Sequence, residues 1–521
     1  MSKIKPSLKP DNAIDTRPDI SSAAIKAALA ALGLLCILST VVFDKTREMS
    51  GTVFSVMSLT ALLLLAGFLL YEKKLNTQNA ALLIMAAGFV IRLDYVIYTP
   101  LSETVRVRQH DLFAFGGTKG HSAYIEHFYN NGFSLPNFDP TTRVQFYHPP
   151  LHHLLAAMWM RILTTFGMSY SRAVGSLQFL TLFYSSCCML VSERIFTKLR
   201  INGLPKLLAI SIVAFHPTFI ILAGSVNNDI LSILFILLSV YSTLVWYEDP
   251  TVKNILYIAL SIGLGMSTKL SAALVAIPIA LVFLIKLISD KKNVIENIRQ
   301  FCIFGTVCLP LGLWFSIRNN IRFKVPFTYV QRLSEESDQY IGDKTVFERL
   351  FDFSYHPFEN VFLNRIATGA DFYEYNPFVA IVKTSLFGEY CFKDIAPYCR
   401  ILLIMNIIMI VLSLAATLMF VVKKSKQVDK TEKIFLVFFQ ILMFVYYIKF
   451  CFDFPHNCSM DYRYIVPTCI LGALFIGASL QQFEIDNGKK KALTQTIRIV
   501  VTSCVAIFCL SSIFVYIALG A

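Results

Sequence analysis

Charged residues and the motifs of soluble enzymes are scarce in this sequence. Only 16% of its 521 residues are Asp, Glu, Lys or Arg, whereas 55% are hydrophobic, which is too apolar for a soluble protein of this length. The chain has no GxxxxGK(S/T) loop and no GxGxxG motif, which argues against direct use of ATP or a dinucleotide. The HExxH and CxxC patterns of common zinc sites are also absent.

Long uncharged apolar runs recur along the chain. A bilayer core is crossed by about 20 apolar residues in a helix, and only a helix or a closed barrel satisfies its own backbone there. The pattern predicts an all-α polytopic membrane protein with about thirteen transmembrane helices and further helices beside the outer membrane surface. The predicted crossings are residues 23–43, 52–71, 80–99, 172–194, 206–224, 228–247, 253–266, 270–289, 301–317, 400–421, 434–450, 464–482 and 495–518.

The net charge of +13 comes from basic residues in short loops between apolar runs. Such loops usually face the cytoplasm, whereas a nucleic-acid-binding protein clusters its charge on one soluble surface. We therefore predict no nucleic-acid partner, a cytoplasmic N-terminus and a C-terminus outside. The loop residues are Lys73, Lys74, Lys198, Arg200, Lys291, Lys292, Lys423, Lys424, Lys426, Lys489, Lys490 and Lys491. No small-residue cleavage site follows the first apolar run, so a transmembrane helix is favoured over a signal peptide.

Two long segments fall on the predicted outer side, residues 100–171 and 318–399. Within the first, residues 149–167 are apolar, but another crossing here would place every later basic loop outside. We predict an amphipathic helix in the interface instead, which begins at the Pro-Pro step because proline is tolerated in a first helical turn. Residues 376–390 are a candidate for a second such helix.

These segments divide the chain into four predicted regions. Residues 1–79 form a cytosolic leader and an extra transmembrane hairpin. Residues 80–317 form the transmembrane core and contain the long outer loop, residues 318–399 form an outer loop with a juxtamembrane helix, and residues 400–521 form the C-terminal transmembrane helices.

Two carboxylates lie on the predicted outer side, Asp111 about a dozen residues after the third crossing and Asp229 at the start of the sixth. Asp111 is a candidate general base for a hydroxyl group, and its alternative role is that of a solvated loop carboxylate. Asp229 begins a predicted helix, where it either faces a water-filled cavity or interacts with the helix dipole. The two roles of Asp229 are compatible.

Basic residues recur on the same side, where positive charge is normally sparse. They suggest an anionic ligand such as a phosphate, although a single one would be read as snorkelling to the interface. These residues are Lys269, Arg318, Arg322 and Arg463.

Six of the nine histidines lie between His110 and His153. His148 and His152 are spaced i, i+4, which predicts one helix face, and His121 is a third candidate ligand for a divalent metal. Hydrogen bonding of the imidazoles to a sugar or to Asp111 is the favoured interpretation. Of twelve cysteines, four lie near the outer face, with three pairings or free thiols open to them. They are Cys391, Cys399, Cys451 and Cys458.

Several short motifs occur in a characteristic order between about residues 85 and 470. They are His110-Asp111, FYHPPLHHLLA, YSRAVGSLQFL, NNDILSILF, STKLSAAL, WFSIRNNIRF followed by VPF, KTSLFGEY and DYRYIVP. With these motifs in this order, the chain resembles the GT-C class of integral membrane glycosyltransferases. The resemblance is to the branch of the protein O-mannosyltransferases and the lipid A aminoarabinose transferase.

The resemblance implies inverting transfer of a hexose, such as mannose, from a polyprenyl-phosphate donor to a protein, cell-wall polymer or glycolipid. Asp111 would be the general base, and Lys269, Arg318 and Arg463 would bind the donor phosphate. The implied cavity residues are His110, Tyr147, His148, His152 and Asp229. No cofactor is required, although a divalent metal is compatible with the family. The implied location is the bacterial plasma membrane, with the active site on the outer face.

Two other functions remain open from the sequence. A transporter or lipid flippase would also have many helices and intramembrane charges, but it usually shows paired repeats, which are not evident here. A non-catalytic membrane scaffold would tolerate the loss of Asp111.

Overall fold

The computed structural model describes residues 22–42, 51–101, 109–354, 361–363, 374–425, 427–486 and 491–520. The predicted cytosolic leader, residues 1–21, lies outside this part of the chain. The described residues form α-helices, short 3-10 turns and loops, with a single β-bridge between Tyr340 and His456. The predicted all-α fold is confirmed.

Nineteen α-helices are present in the described residues. They are α1 (Ser22–Val42), α2 (Gly51–Tyr71), α3 (Thr77–Tyr98), α4 (Gly120–Asn130), α5 (Leu151–Thr165), α6 (Tyr170–Gly175), α7 (Leu177–Lys198), α8 (Gly203–Phe215), α9 (Pro217–Gly224), α10 (Asp229–Glu248), α11 (Val252–Thr268), α12 (Ala276–Ser289), α13 (Val294–Phe323), α14 (Val346–Phe351), α15 (Pro377–Phe387), α16 (Ala396–Val422), α17 (Lys430–Asp453), α18 (Pro467–Asp486) and α19 (Lys491–Ala518).

Within the described residues, ten helical segments are long and apolar enough to cross a membrane. The bent pair α8 and α9 adds an eleventh; it breaks by 41° at His216–Pro217, because proline has no N–H to continue the helix. Every predicted crossing coincides with a helix or a helix pair. Lys26–Val42 and α11 are shorter than the others, so the count of thirteen stays a prediction.

The loops at one end of the bundle meet through polar contacts. Arg200 donates to the Gln427 carbonyl at 2.9 Å and pairs with Glu248 at 3.1 Å, and Gln481 donates to the Arg200 carbonyl at 2.9 Å. We call this the basic end, because the predicted cytoplasmic loops containing Lys198 and Arg200 lie there. The opposite end, where α10 begins and α11 ends, is the site end. The side of the membrane that each end faces stays a prediction.

Two further predicted helices are present. The Pro-Pro step immediately precedes α5, with Pro150 as its N-cap; the interfacial position of α5 stays a prediction. Eight of the eleven residues of α15 are buried, and α15 accepts hydrogen bonds from Asn406 on α16 and Tyr447 on α17. Neighbouring helices thus enclose most of α15, and the position of residues 376–390 relative to the membrane interface stays a prediction.

Cysteine chemistry does not hold this fold together. Among the described residues, which include all twelve cysteines, there is no disulfide bond, so none of the three pairings considered for the four cysteines near the site end is formed. Close helix contacts depend on small residues instead: a Cβ at Gly263 on α11 would lie 2.9 Å from Leu311 on α13. Such approaches are typical of packing between membrane helices.

Candidate active site

The loop that carries Asp111 is folded onto the N-terminus of α4. The carbonyls of Asp111 and Leu112 accept hydrogen bonds from the backbone N–H groups of His121 and Ser122, each at 3.0 Å. Asp111 has a φ of +55°, a conformation that is unusual outside glycine and often occurs at functional sites. Gly120 has a φ of +89°, and a Cβ there would lie 2.5 Å from the Leu112 carbonyl oxygen. Glycine is required where the loop meets the helix.

The start of the same loop is hydrogen-bonded to the segment that connects α9 and α10. The side-chain amide of Gln109 donates to the Gly224 carbonyl at 2.6 Å and accepts from the Val226 N–H at 2.7 Å. Two backbone groups at the break between helices are thereby satisfied, and Gln109 is held two residues before Asp111.

An ion network joins two predicted carboxylates and two predicted cations. Arg463 lies 3.2 Å from Asp111 and 3.7 Å from Asp229, measured from its terminal nitrogens to the carboxylate oxygens. Lys269 pairs with the other oxygen of Asp229. The side chain of Asp111 is 39% exposed, whereas that of Arg463 is 8% exposed. Asp111 is thus the member of the network that solvent or a substrate can reach.

Asp229 and Lys269 are positioned by the ends of two helices, and Arg463 by a short turn. Asp229 is the first residue of α10, and Lys269 follows the last residue of α11. Asn228 bridges the two helices by donating to the Thr268 carbonyl at 3.1 Å. Arg463 lies in the 3-10 turn Tyr462–Tyr464. The structure therefore brings together Asp111, Asp229, Lys269 and Arg463, which are far apart in sequence.

Asp461 and Glu389 adjoin this network and were not among the predicted site residues. Nε2 of His110 lies 3.1 Å from Oδ2 of Asp461. One side-chain nitrogen or oxygen from each of His110, Asp461 and Glu389 lies within 4.8 Å of the other two. Burial raises the pKa of Glu389 to about 7, with Asp461 and Asp111 acting in the same direction against His110 and Arg463. The sequence signals were the motifs KTSLFGEY and DYRYIVP, where the two acids stand.

The buried His121, His152 and His153, together with the half-buried His148, form a separate group. Nδ1 of His121 lies 2.8 Å from Nε2 of His153. Burial lowers the pKa of His148 to about 3 and that of His152 to about 4, so both imidazoles are neutral at physiological pH. A neutral imidazole can donate one hydrogen bond and accept another.

The shared helix face that was the argument for a histidine metal site, the less favoured interpretation of the sequence, is absent. His148 precedes α5, which begins at Leu151, so His148 and His152 do not share a helix face. The i, i+4 argument fails because the two prolines keep His148 outside the helix. Among the described residues, only His110, Glu389 and Asp461 bring three candidate ligand atoms together.

Tyr147 and Arg318 lie outside the ion network. The ring of Tyr147 packs against His148 and Tyr329, with centroid distances of 4.3 and 5.4 Å. Arg318 donates to the Pro136 carbonyl and to the Asn319 side chain. Arg318 is thus not among the described residues that form ion pairs with Asp111 and Asp229, although it was predicted to act with Lys269 and Arg463.

Comparisons with known proteins support one family. The family model for dolichyl-phosphate-mannose-protein mannosyltransferase matches residues 147–314. No curated protein sequence matches the chain. Solved structures of an Archaeoglobus fulgidus oligosaccharyltransferase align at 12% identity with a TM-score of 0.46. The one with zinc and sulfate covers 82% of this chain and 53% of its own, and the one with an inhibitory peptide and a dolichol-phosphate covers 84% and 55%.

The chain spans about half the length of those oligosaccharyltransferases, and the likeness is too remote to transfer residue roles. The family-model match carries more weight, since it includes the Pro-Pro helix α5 and the ends of α10 and α11 that hold Asp229 and Lys269. It confirms the resemblance of this chain to the integral membrane glycosyltransferases of the GT-C class.

Proposed function

We propose that this protein transfers a hexose from a polyprenyl-phosphate donor to an acceptor hydroxyl at the site end of the bundle. The observation that carries the proposal is the exposed carboxylate of Asp111 beside Arg463, with Lys269 and Asp229 behind it. The family description, which names a lipid-phosphate mannose donor and a protein acceptor, supports the choice of substrates.

The reaction is a single displacement. The acceptor oxygen attacks the anomeric carbon, the bond from that carbon to the donor phosphate breaks, and polyprenyl phosphate leaves with the electron pair. Asp111 accepts the hydroxyl proton as general base. Attack opposite to the leaving group inverts the anomeric configuration. A lipid phosphate is a stable leaving group, so no general acid is required.

Stabilisation of the leaving phosphate falls to Lys269 and Arg463. Their charges are fixed in place by Asp229, which is 3% exposed, and preorganised cations in a site with little water stabilise developing negative charge strongly. Asp229 acts as a positioning residue. Arg318, which bonds to Pro136 and Asn319 instead, has no part in this step.

Recognition of the sugar is assigned to the buried histidines beside Tyr147. His148 and His152 are uncharged, because burial lowers the pKa of each well below physiological pH. Neither nitrogen of His152 has a hydrogen-bond partner among the described residues. Neutral imidazoles with free nitrogens are suited to sugar hydroxyls.

The choice of acceptor and location follows from the family and the charge pattern. A hydroxyl-bearing peptide is the first acceptor to test, and cell-wall polymers and glycolipids are the others. The excess of Lys and Arg in loops at the basic end places that end in the cytoplasm by the positive-inside rule. The site end then faces outward from a bacterial plasma membrane. No cofactor takes part in the transfer step.

The test uses purified protein in lipid, radiolabelled polyprenyl-phosphate mannose, and a membrane extract as acceptor pool. We expect Asp111→Asn to lower transfer by about 100-fold or more, since general bases contribute factors of this size. Asp453→Asn is the matched control, because Asp453 is a similarly exposed carboxylate paired with Lys449. Thermal melting confirms that both variants are folded.

Equal transfer by the wild type and Asp111→Asn would remove Asp111 from the mechanism. If the wild type transfers none of a panel of polyprenyl-phosphate hexoses but moves lipid across sealed vesicles, the protein is a transporter or flippase. Release of polyprenyl phosphate coupled to labelled product would establish the transferase.

A further inference from the structure

The motif YSRAVGSLQFL contains a buried glutamine that the proposed mechanism does not use. Gln178 is the second residue of α7, and its side chain is fully buried. Its amide nitrogen donates to the Thr99 carbonyl at 2.7 Å and to the Gly224 carbonyl at 3.0 Å. A carbonyl oxygen can only accept, so the amide must turn its NH₂ group to both. Gln178 thus joins the end of α3 to the end of α9.

The Gly224 carbonyl accepts a second hydrogen bond, from the side chain of Gln109 at 2.6 Å. The amide oxygen of Gln109 accepts in turn from the Val226 N–H at 2.7 Å. A carbonyl oxygen has two lone pairs, and the two glutamines occupy both. Gln178 on α7 and Gln109 in the outer loop therefore share one acceptor at the last residue of α9.

Both carboxylates of the proposed site lie close to this shared acceptor in the chain. Asp111 follows Gln109 by two residues. Asp229 begins α10, five residues after Gly224, and its N–H donates to the Asn227 side chain at 3.0 Å. The loop that carries Asp111 and the segment that leads to Asp229 are thus held at the same point of the backbone.

We propose that Gln178 is a positioning residue for the transfer reaction, because it fixes the Gly224 carbonyl and, through Gln109, the Asp111 loop. The inference rests on the proposed function, in which Asp111 is the general base. The amide oxygen of Gln178 is buried and has no hydrogen-bond partner among the described residues. Such an atom is costly, so stability alone does not favour a glutamine here. Small displacements of a reacting group lower rates strongly.

A neighbour on the same helix provides the matched control. The Thr181 hydroxyl donates to the Ala223 carbonyl at 2.8 Å. Thr181→Val therefore also removes a buried hydrogen bond between α7 and α9, but one that the Asp111 loop does not share. Gln178→Met removes the shared bond and keeps a side chain of similar length.

The first measurement is hydrogen–deuterium exchange of the purified full chain in detergent. The Val226 N–H reports on Gln109, and the His121 N–H reports on the Asp111 loop, since it donates to the Asp111 carbonyl at 3.0 Å. We expect Gln178→Met to speed exchange in peptides that contain these amides by about tenfold, because local opening becomes easier. Thr181→Val should leave the exchange of both amides unchanged.

Kinetics with polyprenyl-phosphate mannose provide the second measurement. We expect Gln178→Met to lower kcat by about tenfold and to change the donor KM by less than about twofold, since the base is displaced while the cations remain. Thr181→Val should keep the wild-type kcat. Thermal melting shows how far each variant is destabilised.

Unchanged exchange at His121 and Val226 in folded Gln178→Met would overturn the proposal, as would an equal loss of kcat in Thr181→Val. If Gln178→Met does not fold, Gln109→Glu decides, because it keeps the acceptor for Val226 but has no donor for Gly224. It too must speed exchange at His121. Exchange is measured without donor or acceptor. Faster exchange in a protein whose wild type transfers no sugar would therefore count against the proposed function and not against the link from Gln178 to the loop.

Discussion

The two ends of the helix bundle bury charge in different ways. At the basic end, Lys206 contacts Glu193 at 2.5 Å, and Thr197 donates to the same carboxylate at 2.9 Å. At the site end, the guanidinium group of Arg463 lies within 4.0 Å of the carboxylates of Asp111, Asp229 and Asp461, and the Asp111 side chain is 39% exposed. The buried Lys206–Glu193 pair can contribute only to stability. The network at the site end, in contrast, contains an exposed carboxylate that a substrate can reach.

We expect the largest difference in activity between the two ends when the buried cation is removed from each, Arg463 at the site end and Lys206 at the basic end. Arg463→Gln removes one of the two cations that face the buried Asp229, and Lys206→Gln removes the nearer of the two cations that face the buried Glu193. We expect each to lower the free energy of unfolding by up to about 3–5 kcal/mol. Only Arg463→Gln should abolish transfer per folded molecule. Thermal melting and turnover, normalised to the monodisperse fraction, measure the two effects.

Equal losses of turnover in these two variants would show that the ends do not differ as proposed. Arg463→Lys provides a second variant should Arg463→Gln fail to fold. It keeps the charge but loses the forked geometry that serves two carboxylates at once, so we expect partial activity.

Lys269 and Lys198 allow the comparison to be made with milder changes. We expect Lys269→Met to lower the transfer rate by about 100-fold, because a preorganised charge opposite the leaving phosphate is lost. Lys198 pairs with Glu248 at the basic end, where both side chains are partly exposed. Lys198→Met should change stability by less than about 1 kcal/mol and leave transfer unchanged.

Kinetics at saturating donor measure this effect. A loss of transfer in Lys198→Met as large as that in Lys269→Met would contradict a specific role for the site end. Lys269→Arg, which keeps the charge, should restore part of the rate.

Two glycines test whether the backbone of the Asp111 loop matters. Gly120 and Gly132 both have positive φ, at +89° and +57°, but only Gly120 contacts the loop. We expect Gly120→Ala to lower transfer by about tenfold, since small displacements of a reacting group are costly. Gly132→Ala should lower stability by about 1–2 kcal/mol, because alanine is strained at a positive φ, but it should leave transfer activity unchanged.

Thermal melting separates the strain from the loss of transfer. Identical activities for the two glycine variants would mean that the contact between α4 and the loop does not position Asp111.

Hydropathy located the long apolar helices of this protein. Each predicted crossing coincides with a helix or a helix pair, because a membrane span requires a long apolar run and the chain interrupts these runs with charge or proline. The predicted helix starts at the Pro149-Pro150 step and at residue 228 lie within two residues of the observed starts at Leu151 and Asp229, since proline and acidic residues favour first helical turns.

The site could be predicted only in part. Asp111 was identified by its position in the first outer loop, and Asp229, Lys269 and Arg463 by their positions at outer helix ends. The structure brings these four residues together. Arg318 has the same kind of position, yet its contacts are with Pro136 and Asn319. Glu389 was missed because its partners, His110 and Asp461, are distant in sequence, and no local pattern records such contacts.

The contact between Asp111 and Arg463 joins residues 352 positions apart. During synthesis, Asp111 reaches the membrane long before the turn that supplies its guanidinium partner has been translated. Asp229 and Lys269, only 40 positions apart, can pair much earlier. The nascent chain therefore carries a scaffold without a complete active centre, and activity reports that the last helices have been inserted correctly.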